Sequence, residues 1–154
     1  MQIGLIADTH GLIRPQALDA LRGCQVIIHA GDIGSVEVLD ALGSVAPVFA
    51  VRGNNDKGSW ARHLPETEAV TIENRVLYVL HDLSQLDLDP AAANFAAVIS
   101  GHSHKPQATT RDGVLYINPG SAGPRRFKLP IAIARLRVDE HSLACEHVEL
   151  SVEA

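Results

Sequence analysis

Seven side chains with metal-binding atoms stand in five short clusters of this chain. They are Asp8 and His10 in Asp8-Thr9-His10, Asp32 after Gly31, Asn54 in Gly53-Asn54-Asn55-Asp56, His81, and His102 and His104 in Gly101-His102-Ser103-His104. The set offers three carboxylate or amide oxygen donors and four imidazoles, an inventory for two divalent cations. Mixed oxygen and imidazole donors suit Mn, Fe, Co, Ni or Zn better than Mg. Taken singly, most of the clusters read as ordinary turns, because Gly, Asp and Asn are turn residues. Gly-His-Ser-His is the most specific, since each imidazole can give one ring nitrogen to a borderline metal.

Each cluster directly follows an apolar, strand-like run: Ile3–Ala7, Val26–Ala30, Val48–Val51, Val76–Leu80 and Ala97–Ser100. In an open sheet covered by helices, strand ends share one edge, and ligands bind in the crevice there. Asp8 and His10 are two residues apart and can reach one ion as the chain turns at Gly11. An Asp directly ending a buried strand, as Asp32 does, can bridge two cations with its two oxygens.

The elements that would carry these clusters alternate at first. Strand Ile3–Ala7 leads to a helix over Pro15–Leu21, with Pro near the start and Ala17, Leu18 and Leu21 at helical spacing. Strand Val26–Ala30 leads to helix Ser35–Leu42, capped by Ser35 or Gly34 and ended by Gly43, and then to strand Val48–Val51. That order predicts parallel strands with crossover helices. After Trp60, Glu68–Ile72 and Arg75–Leu80 flank a hairpin turn at Glu73-Asn74. A short helix over Ala91–Phe95 follows Asp89-Pro90, then strand Ala97–Ser100. Ala108–Thr110 and Val114–Asn118 flank Asp112-Gly113, and Ile131–Val138 and Leu143–Val148 form a last hairpin. A parallel half followed by a largely antiparallel half predicts an α/β (α+β) chain in four αββα layers. Its two mixed β-sheets pack face to face with the helices outside.

At 154 residues, 46% hydrophobic and 20% charged, the chain is one globular domain with a real core. A net charge of −5 argues against binding duplex nucleic acid, which needs a basic face. Cys24 and Cys145 form no CxxC pair and read as buried or half-buried thiols. The opening Met-Gln-Ile-Gly-Leu-Ile-Ala-Asp has no basic region, and no apolar run approaches the ~20 residues that span a bilayer. A cytoplasmic protein without a membrane anchor is expected.

In combination the clusters resemble the calcineurin-like metallophosphoesterase superfamily. Its pattern runs D-x-H, G-D, G-N-x-(D/E), a lone His after a strand, and G-H-x-H, in that order. The small size and Asn118-Pro119-Gly120-Ser121 resemble its compact YfcE-like phosphodiesterase branch. The resemblance implies a first metal on Asp8, His10, Asp32 and His104. It implies a second on Asp32, Asn54, His81 and His102, with Asp32 shared and manganese favoured over Ni, Fe, Co or Zn. It also implies a metal-bridging hydroxide that attacks phosphorus in line with the leaving oxygen. Asp32, Asn54, Asp56 and His81 would then carry the catalysis, with Asp56 orienting a ligand His or a loop N–H.

Two departures stand out. Many members have His at the position of Asn55, and an amide is no general acid. Asp82 stands where the family pattern suggests Gly. Both point to a small phosphodiester substrate with a good leaving group rather than a dianionic monoester. Asn55 and Arg125 are candidate substrate contacts, Arg125 with Arg126 following the Asn118–Ser121 turn. His29, inside a buried strand, reads as a core or supporting His; His63, His141 and His147 read as surface residues. Trp60 and Phe127 fall near the rim, where a homo-oligomer contact could form. Other readings are a phosphoprotein or nucleotide phosphatase, and a non-catalytic Vps29-like binding scaffold. All seven ligand positions are chemically competent, which favours the enzyme over the scaffold.

Overall fold

Alternating apolar residues in the first strand set the layering of the whole chain. The computed structural model describes residues 1–152. In β1 (Gln2–Ile6), Ile3 and Leu5, followed by Ala7, face one core, while Ile6 faces another. That period of two is what a strand between two apolar layers requires. β2 (Val26–His29) and β3 (Val48–Ala50) extend β1 in parallel. Helices α1 (Pro15–Ala20) and α2 (Val36–Gly43) make the crossovers, and Ala17, Leu21, Val38 and Leu42 bury against the outer face of this sheet. Gly4 admits α1 closely: a Cβ there would meet Leu21 Cδ2 at 2.5 Å.

The last hairpin, β9 (Ala132–Val138) and β10 (Leu143–Glu149), joins this same sheet through an antiparallel β1–β9 ladder. The strand order is β10-β9-β1-β2-β3. The second sheet contains β4 (Thr67–Ile72), β5 (Arg75–Leu80), β6 (Phe95–Ile99), β7 (Gln107–Arg111) and β8 (Val114–Asn118). Its order is β4-β5-β6-β8-β7. Between the sheets lies the main core, where Ile3, Leu5, Ile28 and Leu136 meet Leu77, Val79, Ile99 and Ile117. Each such fully buried Leu or Ile contributes about 1.5–3 kcal/mol.

The two mixed sheets face each other as expected, with three local corrections. The second sheet is not largely antiparallel: β5, β6 and β8 run parallel, and only the flanking strands β4 and β7 are antiparallel. Hairpins therefore flank a parallel centre in the second sheet, and one hairpin edges the parallel β1-β2-β3 set in the first. The helix expected over Ala91–Phe95 is a single turn, with Asp89 Oδ1 accepting from the N–H of Ala91 and Ala92 and Phe95 already in β6. One turn has too few internal hydrogen bonds to offset helix nucleation. The outer layer of this sheet is therefore thin. Leu83 of the 3₁₀ turn Leu83–Gln85, with Leu86 and Ala91, covers Tyr78, Leu80 and Val98. Finally, Gly43 is the last residue of α2, and Ser44 closes the helix in right-handed conformation with its hydroxyl donating to Ala41 O.

The turns Glu73-Asn74 and Asp112-Gly113 have positive φ throughout, the backbone hand that matches a twisted hairpin. Cys24 is buried and Cys145 half-buried, both as free thiols. No helix among the described residues is long and apolar enough to cross a membrane.

Candidate metal centre

The parallel strands β1, β2, β5 and β6 deliver Asp8, Asp32, His81 and His102 just past their C-terminal ends, as strand-end placement requires. Ten non-glycine residues among those described have positive φ, and five are Asp8, His10, Asp32, His102 and His104. Left-handed backbone at a non-glycine residue costs energy and persists only where the surroundings over-determine it. Those surroundings are visible. Asp8 N–H donates to Gly31 O, His10 N–H to Asp32 O and Gly11 N–H to Ile33 O, so the first two ligand loops run locked together. The glycines before the ligands permit close passage. A Cβ on Gly31 would meet His81 Nδ1 at 2.7 Å, and one on Gly53 would clash with Asp32.

Behind the ligands, buried polar side chains brace the loops. His29 Nδ1 accepts from Gly31 N–H, so its proton sits on Nε2 and is donated to Thr9 Oγ1, which donates to Ile33 O. Burial drives the His29 pKa down to about 3, keeping the ring neutral. Asn118 Nδ2 donates to Gly101 O and Ser103 Oγ, and Ser121 Oγ donates to Asp8 O. The Asn118–Ser121 segment is thus a structural brace. His147 is a correction: it is half-buried rather than on the surface, and its Nε2 donates to Asn118 O at 2.8 Å.

At the centre, Asp8 is fully buried and Asp32, His81 and His104 nearly so. Donor atoms of Asp8, His10 and His104 lie within 4.8 Å of one another, as do those of Asp8, Asp32 and His81. His10 Nε2 is 3.8 Å from Asp32 Oδ2, His104 Nε2 is 3.6 Å from Asp8 Oδ1, and His81 Nε2 is 3.3 Å from Asp32 Oδ2. His81 Nδ1 donates to Ala30 O, which turns Nε2 inward, 3.3 Å from His102 Nδ1. Asp8 Oδ1 and His10 Nε2 are buried without a hydrogen-bond partner. A buried acceptor left so costs about 1–3 kcal/mol, which a coordinated cation would relieve. By chemistry and placement these residues fit divalent metal ions.

Burial and close pairing set the electrostatics of the metal-free centre. Burial pushes the Asp8 pKa up to about 7, partly opposed by His81. Burial also raises Asp32, but hydrogen bonds from His81 and Asn55 outweigh it and hold its carboxyl well below the usual range. Burial lowers His81, yet its bonds to Asp32 and Ala30 O raise it further, so the net shift is upward. Burial, then the Arg126 charge, brings His104 down to about 4, leaving a free lone pair for a metal.

The remaining candidates separate. Asn54 is exposed and lines a groove of about 570 Å³ with Arg52, His81, Asp82 and His102. Asn55 points at Asp32: its N–H donates to Oδ1 at 2.9 Å and its amide to Oδ2 at 3.0 Å. Asp56 is buried, and its two oxygens accept from the N–H of Ile33, Gly34 and Gly53. It acts as a positioning residue that fastens the Asn54 loop to the Asp32 loop. Arg125 bends back to Leu129 O, whereas the Arg126 charge acts on Asp8 and His104. The brace Thr9 carried no signal of its own in the sequence, whereas Ser121 stood in the singled-out Asn118–Ser121 segment without showing that it would hold Asp8 O.

Comparison with known proteins agrees with this geometry. The calcineurin-like phosphoesterase superfamily domain matches residues 1–141. A probable metallophosphoesterase of Methanothermobacter thermautotrophicus is 33% identical over 95% of this chain and 91% of its own length. Phosphodiesterase YfcE of Escherichia coli is 29% identical, over 79% of each chain. The zinc complex of Vps29 from Entamoeba histolytica has a TM-score of 0.75 and 25% identity, over 97% of this chain and 99% of that one. The chain therefore belongs to the calcineurin-like phosphoesterase superfamily.

Proposed function

We propose that this protein is a dinuclear metal-dependent phosphodiesterase. The observation that carries the reading is the pair of donor groups, Asp8, His10 and His104 and Asp8, Asp32 and His81, that overlap at Asp8, with buried atoms on Asp8 and His10 lacking any partner. Asp8, His10, Asp32 and His104 would hold one ion, and Asp32, Asn54, His81 and His102 the other. Two bound cations supply an acidified water as nucleophile and Lewis-acid stabilisation of the phosphoryl oxygens. Manganese is our proposed resident ion, as mixed donors accept it and supply decides among Mn, Fe, Co, Ni and Zn.

The chain's own residues define the rest. Asn55 and His81 fix the Asp32 carboxylate, and Asp56 fixes the loop that presents Asn54. The Arg126 charge, close enough to act on Asp8, can offset charge on a phosphoryl oxygen. Asn55 gives no proton to a leaving alkoxide, since its amide is committed to Asp32. Asp82 adds negative charge: burial raises it, but hydrogen bonds from Ser84 outweigh that and keep it ionised, 3.9 Å from His102 Nε2. A monoanionic diester with a good leaving group suits this site better than a dianionic monoester. We place the protein in the cytoplasm and assign it no duplex nucleic-acid partner, on its charge of −5.

Metal analysis alongside hydrolysis of bis-p-nitrophenyl phosphate and p-nitrophenyl phosphate, with added manganese, tests the reading. About two metals per chain, a higher kcat/KM on the diester, and loss of both in Asp32→Asn are expected. A higher kcat/KM on the monoester would turn the assignment to a phosphatase. The likeness to Vps29 supports a second reading, a binding scaffold. A native protein that hydrolyses neither ester, with or without bound metal, would turn the assignment to it, since that relative itself binds zinc.

A further inference from the structure

Phe127 is 86% exposed, while the next most exposed large apolar side chain, Phe49, stands at 41%. Its φ is +54°. For a bulky aromatic residue that is an outlier, costing of order 1–3 kcal/mol. Every other non-glycine residue with positive φ among those described is an Asp, Asn, Glu or His in a turn or a ligand loop. Phe127 thus combines two unfavourable features, a strained backbone and an apolar ring in water, with no compensating contact in the core.

Its neighbours explain where that ring points chemically. Arg125, Arg126 and Lys128 are all exposed beside it, three cations in four residues of a chain with net charge −5. The chain just before this segment is held against the Asp8–Thr9 ligand loop. Ser121 Oγ donates to Asp8 O, and Gly123 lies so close to the Asp8 and Thr9 carbonyls that a Cβ there would clash. Arg14 Nη2 donates to Gly123 O, Leu129 N–H to Arg126 O, and Arg125 Nη1 to Leu129 O. Arg126 follows three residues after Gly123, on the chain that leaves the Asp8–Thr9 ligand loop.

An exposed aromatic face flanked by cations, on chain leading away from a metal-ligand loop, is the combination that holds unpaired nucleobases: the ring stacks and the cations meet the backbone charge. We propose that residues 125–128 form a subsite for a nucleoside arm of the phosphodiester substrate, with the base stacked on Phe127 and Arg126 on a phosphate oxygen. The inference rests on the phosphodiesterase reading and narrows its substrate class to nucleotide diesters.

Two diesters with the same charge and leaving group isolate the effect: thymidine 5′-(p-nitrophenyl phosphate) and methyl p-nitrophenyl phosphate. The manganese-loaded native chain should favour the thymidyl ester by about tenfold in kcat/KM, the worth of one stacked base. Phe127→Ala should remove that preference, mainly through KM, and Phe127→Trp should retain it. Arg126→Gln should slow both esters alike, because the phosphate is common to them. Calorimetric titration with thymidine 5′-monophosphate should show the same loss in Phe127→Ala without any turnover. Equal native rates on the two esters, or equal slowing of both by Phe127→Ala, would overturn the proposal. So would a dimer seen by light scattering that Phe127→Ala dissolves, which would give the ring to a second copy of the chain. If neither ester is hydrolysed, the phosphodiesterase reading falls. The nucleotide subsite then falls with it only if the calorimetric difference is also missing.

Discussion

Asn55 holds Asp32 at both carboxylate oxygens, through its backbone N–H at 2.9 Å and its side-chain amide at 3.0 Å. The residue that the family resemblance marked as a missing acid is therefore a clamp on the carboxylate proposed to bridge the two ions. Oδ1 keeps a second lone pair, and Oδ2 shares its second with His81 Nε2 at 3.3 Å, so a cation drawing both Asp32 and His81 leaves the clamp intact.

Removing the clamp should be felt at the metal before the chemistry. Asn55→Ala is expected to weaken manganese binding about 10–100-fold, the usual effect of losing a partner that orients a ligand. Calorimetric titration of metal-free protein reads this directly. An unchanged affinity would mean that His81 and the backbone N–H of residue 55 suffice to fix Asp32.

Asp56 predicts the opposite balance, stability first. Its carboxylate satisfies three backbone N–H groups, all near the centre. Asp56→Ala leaves those donors without an acceptor and should cost about 2–4 kcal/mol in urea unfolding. A cost below ~1 kcal/mol would show that water replaces the carboxylate freely.

The pH dependence of the metal-free protein follows from groups that shift in opposite senses. His29 falls from 6.5 to about 3 and His104 to about 4. Between those values the unfolded chain binds more protons, so their stabilising contribution is full above pH 6.5 and is lost as pH falls. For His29, wholly buried, the slope approaches about 1.4 kcal/mol per pH unit. His29→Gln should flatten this acid limb in denaturation curves. Asp8 works the other way: raised from 3.8 to about 7, it stabilises fully below 3.8 and loses that contribution as pH rises. A cation at Asp8 displaces that proton. The manganese-induced rise in Tm should therefore grow from about pH 5.5 to about pH 7.5. A rise independent of pH would place the cation away from Asp8.

Much of this architecture was legible because its signals are local. Buried apolar runs marked the strands, and turn residues at Glu73-Asn74 and Asp112-Gly113 marked two hairpins whose positive φ the structure bears out. Pairing partners were less legible. Nothing along the chain announces that β5, β6 and β8 lie parallel, or that β9 returns to β1, since both depend on contacts distant in sequence. The ligand types stood out in the same way, as chemistry at strand ends. Their supports were legible only in part: His29 already read as a core or supporting His, but its partner Thr9, and what Asn118 holds, appear only when two loops meet. Choosing between Arg125 and Arg126 likewise needed the turn that sends one guanidinium back to Leu129.

The positive φ of Asp8, His10, Asp32, His102 and His104, with the bonds tying their loops together, bears on how the centre is charged. The costly backbone angles are already set within the folded chain, so an arriving ion meets a preformed cradle rather than driving a loop to close. Loading and unloading are then exchange reactions, governed by ligand protonation and by which ions are at hand. One folded chain can pass from one metal to another without unfolding, and its turnover would report the composition of the ion pool around it.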